Sequence, residues 1–226
     1  MIIFNQLHLS VVGILVVYLL ALVNSSGLSV RISPRQLTQY RGQHVVFRCY
    51  VTGNPVPIVS WFIKGTDITR HGRLKTSKIP GGYMMRLGPV HPVLDNGTIE
   101  CRGKNSVDPP VADKADLHVL REVFRASNPN VPPGIPKPLA RYSPRLPVNV
   151  GTSLTLVVNV SGNPIPNITW FKDEKLLDWN NPRFSLLNNN SLRITNAQVA
   201  DRGKYDYMAE NNKGQIFSRV WTVSVD

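Results

Sequence analysis

A short pattern of residues occurs twice in this chain of 226 residues, with the two copies about 109 positions apart. In the first copy Cys49 is followed by Trp61 and then by Cys101, and in the second copy Trp170 occupies the position of Trp61. Both copies carry Gly-Asn-Pro ahead of the Trp and an Asp-x-Gly turn after it. A Cys, a Trp and a second Cys at this spacing are typical of an immunoglobulin sandwich, in which the Trp packs against a disulfide between two sheets. The repeat therefore predicts two tandem domains of this all-β fold.

Apolar and polar residues alternate around both Trp residues, which is the period of a half-buried strand, and no segment has a convincing helical pattern. Five prolines between positions 129 and 138 interrupt the alternation and favour a partly stiff, polyproline-like linker. We expect a signal peptide at 1–27, a first immunoglobulin-like domain at 28–120, the proline-rich linker at 121–141 and a second domain at 142–226.

The amino-terminal segment indicates export from the cell. Residues 11–23 form an uncharged apolar run that is short for a membrane span and is followed by small polar residues, as in a secretory signal peptide. An uncleaved anchor is the alternative, because no Lys or Arg precedes the run. Export would place Cys49 and Cys101 in an oxidising compartment, where only one pairing is open to them. We therefore expect a secreted protein, or a cell-surface protein if the chain is part of a longer receptor.

Asn-x-Ser/Thr sequences, the acceptors of N-linked glycans, agree with export. They occur at Asn24, Asn96, Asn159, Asn167 and Asn189. We expect glycans first at the last three of these positions, because Asn24 lies near the expected cleavage region and Asn96 lies in a tight turn.

The second copy departs from its own pattern. Val158 and Tyr207 occupy the positions of the two cysteines, so we expect this domain to fold without the bridge that joins the sheets. Such a bridge stabilises a domain by roughly 4 kcal/mol in the chain-entropy model, which packing must replace. Tyr207 could fill the space if its hydroxyl finds a partner. The second domain keeps a corner-forming Tyr205, whereas the first has Ile99 at that position.

Composition and residue spacing favour binding over catalysis. The five histidines are scattered without metal-ligand spacing, and we find no paired acids and no glycine-rich phosphate loop. We therefore expect no catalytic site, cofactor or metal. The formal charge of +12 falls entirely after residue 26. Outside the cell such an excess favours polyanions, above all sulfated glycosaminoglycans, or acidic protein faces, with nucleic acid less favoured.

Several motifs resemble the first two immunoglobulin domains of the leukocyte-common-antigen-related (LAR) receptor tyrosine phosphatases. They lie at 80–82, 85–90, 99–101, 104–107 and 115–119 in the first domain, and at 162–164, 170–172, 181–186, 203–205 and 209–214 in the second. The resemblance implies intermediate-set (I-set) domains and a role in cell-surface adhesion, with sulfated glycosaminoglycans and extracellular adhesion proteins as ligands. The alternative is a secreted or matrix immunoglobulin protein with a structural role. Phosphatase activity or a membrane anchor would require a further carboxyl-terminal region.

The resemblance also implies a lysine cluster just after the first Trp that binds sulfated chains. Here the matching stretch offers only Lys64, with Asp67 nearby. Six cations within 23 residues are the candidates that could replace the cluster: Lys64, Arg70, Arg73, Lys75, Lys78 and Arg86. A competing interpretation pairs Arg73 with Asp95, and Arg183 with Asp201, because an Arg fork suits one carboxylate. The other cations could form an ordinary solvated face.

Overall fold

The computed structural model describes residues 27–123, 137–138, 145–218 and 220–226. These residues form two β-sandwiches, which confirms the all-β prediction. The expected signal peptide, apart from Gly27, and most of the expected linker lie outside the described residues, so both remain predictions.

Nine strands make up the first domain. They are β1 (Ser29–Ser33), β2 (Gln36–Arg41), β3 (Val45–Thr52), β4 (Ile58–Ile63), β5 (Thr66–Asp67), β6 (Leu74–Ile79), β7 (Gly82–Leu87), β8 (Gly97–Lys104) and β9 (Val111–Val123). One sheet has the order β1-β3-β7-β6 and the other the order β2-β9-β8-β4-β5. Strand β2 runs parallel to β9, and the remaining neighbours are antiparallel.

The core of the first domain surrounds the bridge that joins its sheets. Cys49 on β3 and Cys101 on β8 form a disulfide with their Cα atoms 6.2 Å apart, as the sequence predicts. Trp61 on β4 lies opposite Cys101 in the register and is 1% exposed. Ile99, at the position of the missing corner Tyr, is fully buried in the same core.

The second domain repeats this plan with strands that are mostly shorter. They are β11 (Arg145–Val148), β12 (Leu154–Leu156), β13 (Val160–Ser161), β14 (Asn167–Lys172), β15 (Lys175–Leu176), β16 (Phe184–Leu186), β17 (Leu192–Ile194), β18 (Gly203–Asn211), β19 (Gly214–Phe217) and β20 (Trp221–Val225). One sheet has the order β11-β20-β18-β14-β15, with β19 also paired to β18, and the other the order β12-β17-β16. Strand β10 (Lys137–Pro138) pairs with β13, and a 3₁₀ turn spans Val199–Asp201.

Two buried aromatic rings, of Trp170 and Tyr207, lie in the core of the second domain, and the half-buried Trp221 packs against them. The ring of Trp170 lies 5.3 Å from that of Tyr207 and 5.6 Å from that of Trp221, measured between centroids. The Tyr207 hydroxyl donates to the carbonyl oxygen of Asn159 at 3.3 Å. Val158 is half-buried and packs against the same core. The side chain that replaces the second cysteine therefore fills the core and has a hydrogen-bond partner at its polar end.

Candidate ligand-binding surface

The two sandwiches pack against each other face to face. The outer face of the β3-β7-β6 region in the first domain contacts the outer face of the β14-β18-β19 region in the second. Five buried apolar side chains fill the contact, namely Val46, Met84, Phe171, Met208 and Phe217. Each is at most 6% exposed. Strands β3, β7 and β18 therefore contain runs of residues that are buried on both faces, one in their own core and one between the domains.

A charged pair lies inside this apolar contact. Arg86 on β7 donates to both carboxylate oxygens of Asp206 on β18, at 2.9 and 2.6 Å. The two side chains are 4% and 6% exposed. The guanidinium also stacks on the rings of Phe171 and Phe217, 4.8 and 4.5 Å from their centroids. A bidentate, desolvated pair of this kind has a defined geometry, and removal of either partner leaves a buried charge uncompensated.

Hydrogen bonds around the pair fix the register of the two faces. The side-chain amide of Gln215 accepts from the backbone N–H of Val46 and donates to its carbonyl, both at 3.0 Å. The Gln39 side-chain amide donates to the backbone carbonyl of Gln215 at 3.1 Å. At the margin Arg48 pairs with Glu210 at 2.8 Å, and the Leu176 N–H donates to the Ser77 hydroxyl at 3.1 Å. The contact is therefore specific as well as apolar.

His44 borders the same contact and stacks against Phe217, with ring centroids 5.5 Å apart. Burial, together with the positive charge of Arg86, lowers the pKa of His44 to about 4, although Asp206 opposes the shift. The Glu174 carboxylate lies 3.8 Å from its Nε2 atom. His44 is therefore neutral in the folded protein at neutral pH.

Two of the six candidate cations are engaged by carboxylates. Arg86 is enclosed between the domains, so it cannot contact a polyanion in solvent and the prediction for it is wrong. Arg73 donates to both oxygens of Asp95 at 2.8 Å and to the Pro89 carbonyl at 2.9 Å. This is the pairing that the competing interpretation expected, and the bond to Asp95 raises the pKa of Arg73.

The four remaining candidates are more accessible but do not lie on a single strand. Lys64 is exposed in the β4–β5 turn, where its Nζ atom donates to the Val93 carbonyl at 3.1 Å. Arg70 is exposed in the loop before β6. On β6 itself, Lys75 is half-buried and Lys78 is exposed.

The base of the second domain has the matching arrangement. Arg183 forms a bidentate contact with the buried Asp201. Burial tends to raise the pKa of Asp201, but hydrogen bonds from Arg183 and from the Gln198 N–H outweigh it, so the pKa is lowered. The buried Tyr205 hydroxyl donates to the Asp201 carbonyl at 2.8 Å, and burial raises its pKa. Tyr205 thus forms the corner that an immunoglobulin sandwich carries at this position.

Within the part of the chain that the structure describes, no group of three or more His, Cys, Asp and Glu side chains is placed to hold a metal ion. The same residues contain no helix long and apolar enough to cross a membrane.

The contact between the domains is the feature that sequence analysis missed. A signal for it exists in consecutive apolar residues on strands that otherwise alternate, namely Val45-Val46, Met84-Met85 and Trp170-Phe171. A strand with one solvated face alternates cleanly, whereas a strand buried on both faces reads as a continuous apolar run. Arg86 and Asp206 each interrupt such a run, which is typical of a buried charge with a partner.

Comparison with known proteins identifies the domains. A sequence model of the immunoglobulin I-set domain matches residues 28–119 and 139–224. The chain belongs to the immunoglobulin I-set family. It is 30% identical over 181 residues to the tyrosine-protein phosphatase Lar of Drosophila melanogaster and 33% identical over 215 residues to the receptor-type tyrosine-protein phosphatase S of Gallus gallus. These matches cover 79% and 93% of this chain. The chain spans only 8% and 14% of those relatives.

Solved structures show the same tandem arrangement of I-set domains. The amino-terminal Ig1-2 module of the Drosophila phosphatase DLAR superposes with a TM-score of 0.75 at 28% identity, covering 88% of this chain and 99% of that one. A second structure, of tandem Ig repeats of Dlar, gives a TM-score of 0.69 at 29% identity over 87% and 97% of the two chains. These findings confirm the LAR-type resemblance. Both matched segments are immunoglobulin domains, whereas the catalytic activity named for the relatives belongs to much longer proteins.

Each I-set domain carries an exposed apolar residue in the loop before its Trp-bearing strand. Val56, in the loop before β4, is 75% exposed, and its counterpart Ile165, before β14, is 87% exposed. A cavity of about 250 Å³ lies in the cleft between the domains, lined by β2 and by the β18–β19 turn. Gln36, Thr38 and Lys213 contribute polar groups to it.

Proposed function

We propose that this chain is a non-enzymatic extracellular recognition module, in which two I-set domains present one composite surface to partners on cells or in the matrix. The observation that carries the proposal is the buried contact between the domains, with Arg86 and Asp206 at its centre. The resemblance to LAR-type ectodomain modules supports the same class of function.

A fixed arrangement of domains favours binding because less motion is lost when a partner docks. Opening the contact would expose five apolar side chains and a charged pair whose hydrogen bonds would have to be remade with water. The domains are therefore expected to move as one body, and a ligand could contact both of them without first ordering them.

Sulfated glycosaminoglycan is the ligand class that the charge distribution favours. Residues 28–120 contain 13 Lys and Arg against 6 Asp and Glu, whereas residues 142–226 contain 9 against 7. The larger part of the excess positive charge therefore lies in the first domain. Lys64, Arg70, Lys75 and Lys78 are the candidate contacts, because none of them takes part in an ion pair among the described residues. A polyanion held by such cations binds chiefly through release of its counterions.

The test is elution from immobilised heparin along a salt gradient. We compare the mature chain with a variant in which Lys64, Arg70, Lys75 and Lys78 are changed to Ala. A matched control removes four other exposed cations of the same domain, namely Arg31, Arg41, Lys104 and Lys114. Both variants lose the same net charge, so any difference between them reports position.

The proposal predicts that the first variant elutes at clearly lower salt than the control, with a smaller slope of affinity against salt concentration. Equal elution of the two variants would mean that only net charge matters. Elution of the first variant together with the unmodified protein would reject these four residues as contacts and leave a structural or matrix role for the module.

A further inference from the structure

We propose that N-linked glycans on Asn159, Asn167 and Asn189 form a cover over the exposed apolar end of the second domain. The proposal rests on the extracellular function proposed above, because this modification occurs only on the secretory route. It concerns a surface that the recognition role of the first domain does not use.

The three acceptor residues lie at one end of the sandwich. The Val158 N–H donates to the Ser191 hydroxyl at 2.9 Å, which joins the segment that carries Asn159 to the turn that carries Asn189. The Asn211 side chain donates to the Pro164 carbonyl at 2.9 Å, which joins the β18–β19 turn to the loop ahead of Asn167. The Trp170 indole donates to the Asn190 carbonyl at 2.9 Å and links the same turn to β14.

All three acceptor side chains are exposed, and two of them lie beside exposed apolar residues. Val157 is 56% exposed two positions before Asn159, and Ile165 is 87% exposed two positions before Asn167. The single residue between each pair, Val158 or Pro166, is partly or fully buried. Each apolar residue and its neighbouring Asn therefore face solvent on the same side of the chain. Exposed apolar surface on a secreted domain is an aggregation liability unless something covers it.

The chemistry needs an activated sugar donor in addition to this chain. The Asn side-chain nitrogen forms a bond to C1 of an oligosaccharide carried on a lipid diphosphate, the bond from C1 to the diphosphate oxygen breaks, and the amide loses one proton. Each glycan places several hydroxyl-rich sugar rings next to the amide, which hydrate the surface around it.

Asn96 provides an internal contrast. It also stands in an Asn-x-Thr sequence, but its side-chain oxygen accepts from the Val119 N–H at 2.8 Å and the residue is half-buried. The Asn189 side-chain oxygen also accepts a hydrogen bond, from the Ser191 N–H at 3.1 Å, but Asn189 is exposed, so burial is what distinguishes Asn96 from it. We therefore expect Asn96 to remain unmodified. In residues 28–120 no other acceptor sequence occurs, so the equivalent loop end of the first domain, with Val56, stays open to a partner.

The first experiment maps the modification on the full chain, secreted from eukaryotic cells with its own amino-terminal segment. Enzymatic release of glycans in ¹⁸O water converts each modified Asn to labelled Asp, which peptide mass spectrometry locates. The proposal predicts labelled Asp at positions 159, 167 and 189 and unlabelled Asn96. Absence of label from two or more of the three positions in secreted protein would overturn it and leave the proposed function standing. Unmodified chain retained in the cytosol would contradict both.

The second experiment tests the covering role. The N159Q/N167Q/N189Q variant is expected to bind a fluorescent apolar dye several-fold more strongly than the unmodified protein and to elute partly as aggregates in size-exclusion chromatography. Adding V157S and I165S should restore the monomer. N212Q serves as the control, because Asn212 is exposed and lies outside any acceptor sequence, and it should behave as the unmodified protein. If the triple variant is not secreted, trimming folded wild-type protein to single sugars makes the same comparison. Unchanged dye binding and a monodisperse profile in either form would overturn the proposal.

Discussion

Trp61 and Trp170 occupy equivalent positions in the two domains, yet Trp61 lies beside a disulfide and Trp170 lies beside two aromatic rings. In the first domain one covalent bond joins the sheets, and the buried Trp61 indole has no hydrogen-bond partner among the described residues. In the second domain Tyr207 and Trp221 fill the corresponding space, and the indole of Trp170 is satisfied.

The comparison shows that the same fold can be stabilised in two ways, by a covalent constraint on the unfolded chain or by packing in the folded state. A disulfide acts mainly by limiting the unfolded ensemble. Aromatic packing acts in the folded state through buried area and ring contacts. The two domains should therefore respond to different perturbations.

The largest effect is expected when the disulfide is removed. Changing Cys49 and Cys101 to Ser should lower the free energy of unfolding of the first domain by about 4 kcal/mol, given a sequence separation of 52 residues between the cysteines. The second domain should lose only the part of its stability that it draws from the contact with the first. Hydrogen exchange of the whole chain, read by mass spectrometry, resolves the two domains. Equal loss of protection in both would contradict the difference between them.

Truncation of the aromatic core should affect the second domain instead. We expect Tyr207→Ala to lower its free energy of unfolding by about 3 kcal/mol, because a large buried ring is replaced by a cavity. Tyr207→Phe keeps the ring and removes only the hydroxyl bonded to the Asn159 carbonyl, so it should cost about 1 kcal/mol. Urea unfolding followed by domain-resolved exchange measures both. A smaller loss for Ala than for Phe would show that the ring does not replace the bridge.

Acid should weaken the contact between the domains through His44. Its pKa is lowered to about 4 in the folded protein from 6.5, so the unfolded chain binds more protons between these values and stability falls as pH falls through this range. For this group alone the free energy of unfolding should be about 1.4 kcal/mol lower at pH 5.5 than at pH 8. The dependence of the free energy of unfolding on pH, measured by urea unfolding at several pH values, should be weaker in His44→Gln. An identical slope in that variant would exclude His44 as its source.

The smallest effect concerns the corner of the second domain. Tyr205→Phe removes the hydroxyl that donates to the Asp201 carbonyl and should cost about 1 kcal/mol. Tyr50→Phe in the first domain is the control, because Tyr50 is only half-buried and its hydroxyl has no hydrogen bond among the described residues. The midpoint of thermal unfolding is measured for both variants. An equal decrease in the two would show that the Tyr205 hydroxyl does not stabilise the second domain.

Sequence analysis reached the features that depend on local spacing. The two sandwiches and the Cys49–Cys101 bridge could be predicted from short patterns, because Cys, Trp and Gly at these spacings each have a known role in the fold. The pairing of Arg73 with Asp95 could be proposed for the same reason, since an Asp before a Gly turn attracts a nearby Arg.

The role of Arg86 depends on information that short patterns do not carry. Its partner Asp206 lies 120 residues away in the other domain, and only the arrangement of the domains brings the two together. From sequence alone, a cation in a strand is expected to face solvent, unless the pattern indicates that both faces of that strand are buried. The glycosaminoglycan contacts remain predictions, because exposure of Lys64 or Lys78 does not identify what they bind.

The central claim is that the two domains form one body held by the contact around Arg86 and Asp206. Spin labels on Lys114→Cys and Arg193→Cys, both exposed positions on different domains, allow the distance between the domains to be measured by pulsed electron resonance. We predict one narrow distance distribution, which broadens in Arg86→Ala because Asp206 is left without its partner at a cost of about 3–5 kcal/mol. It should remain narrow when Arg86→Met is combined with Asp206→Leu. A broad distribution in the unmodified protein, or no change in Arg86→Ala, would contradict the claim.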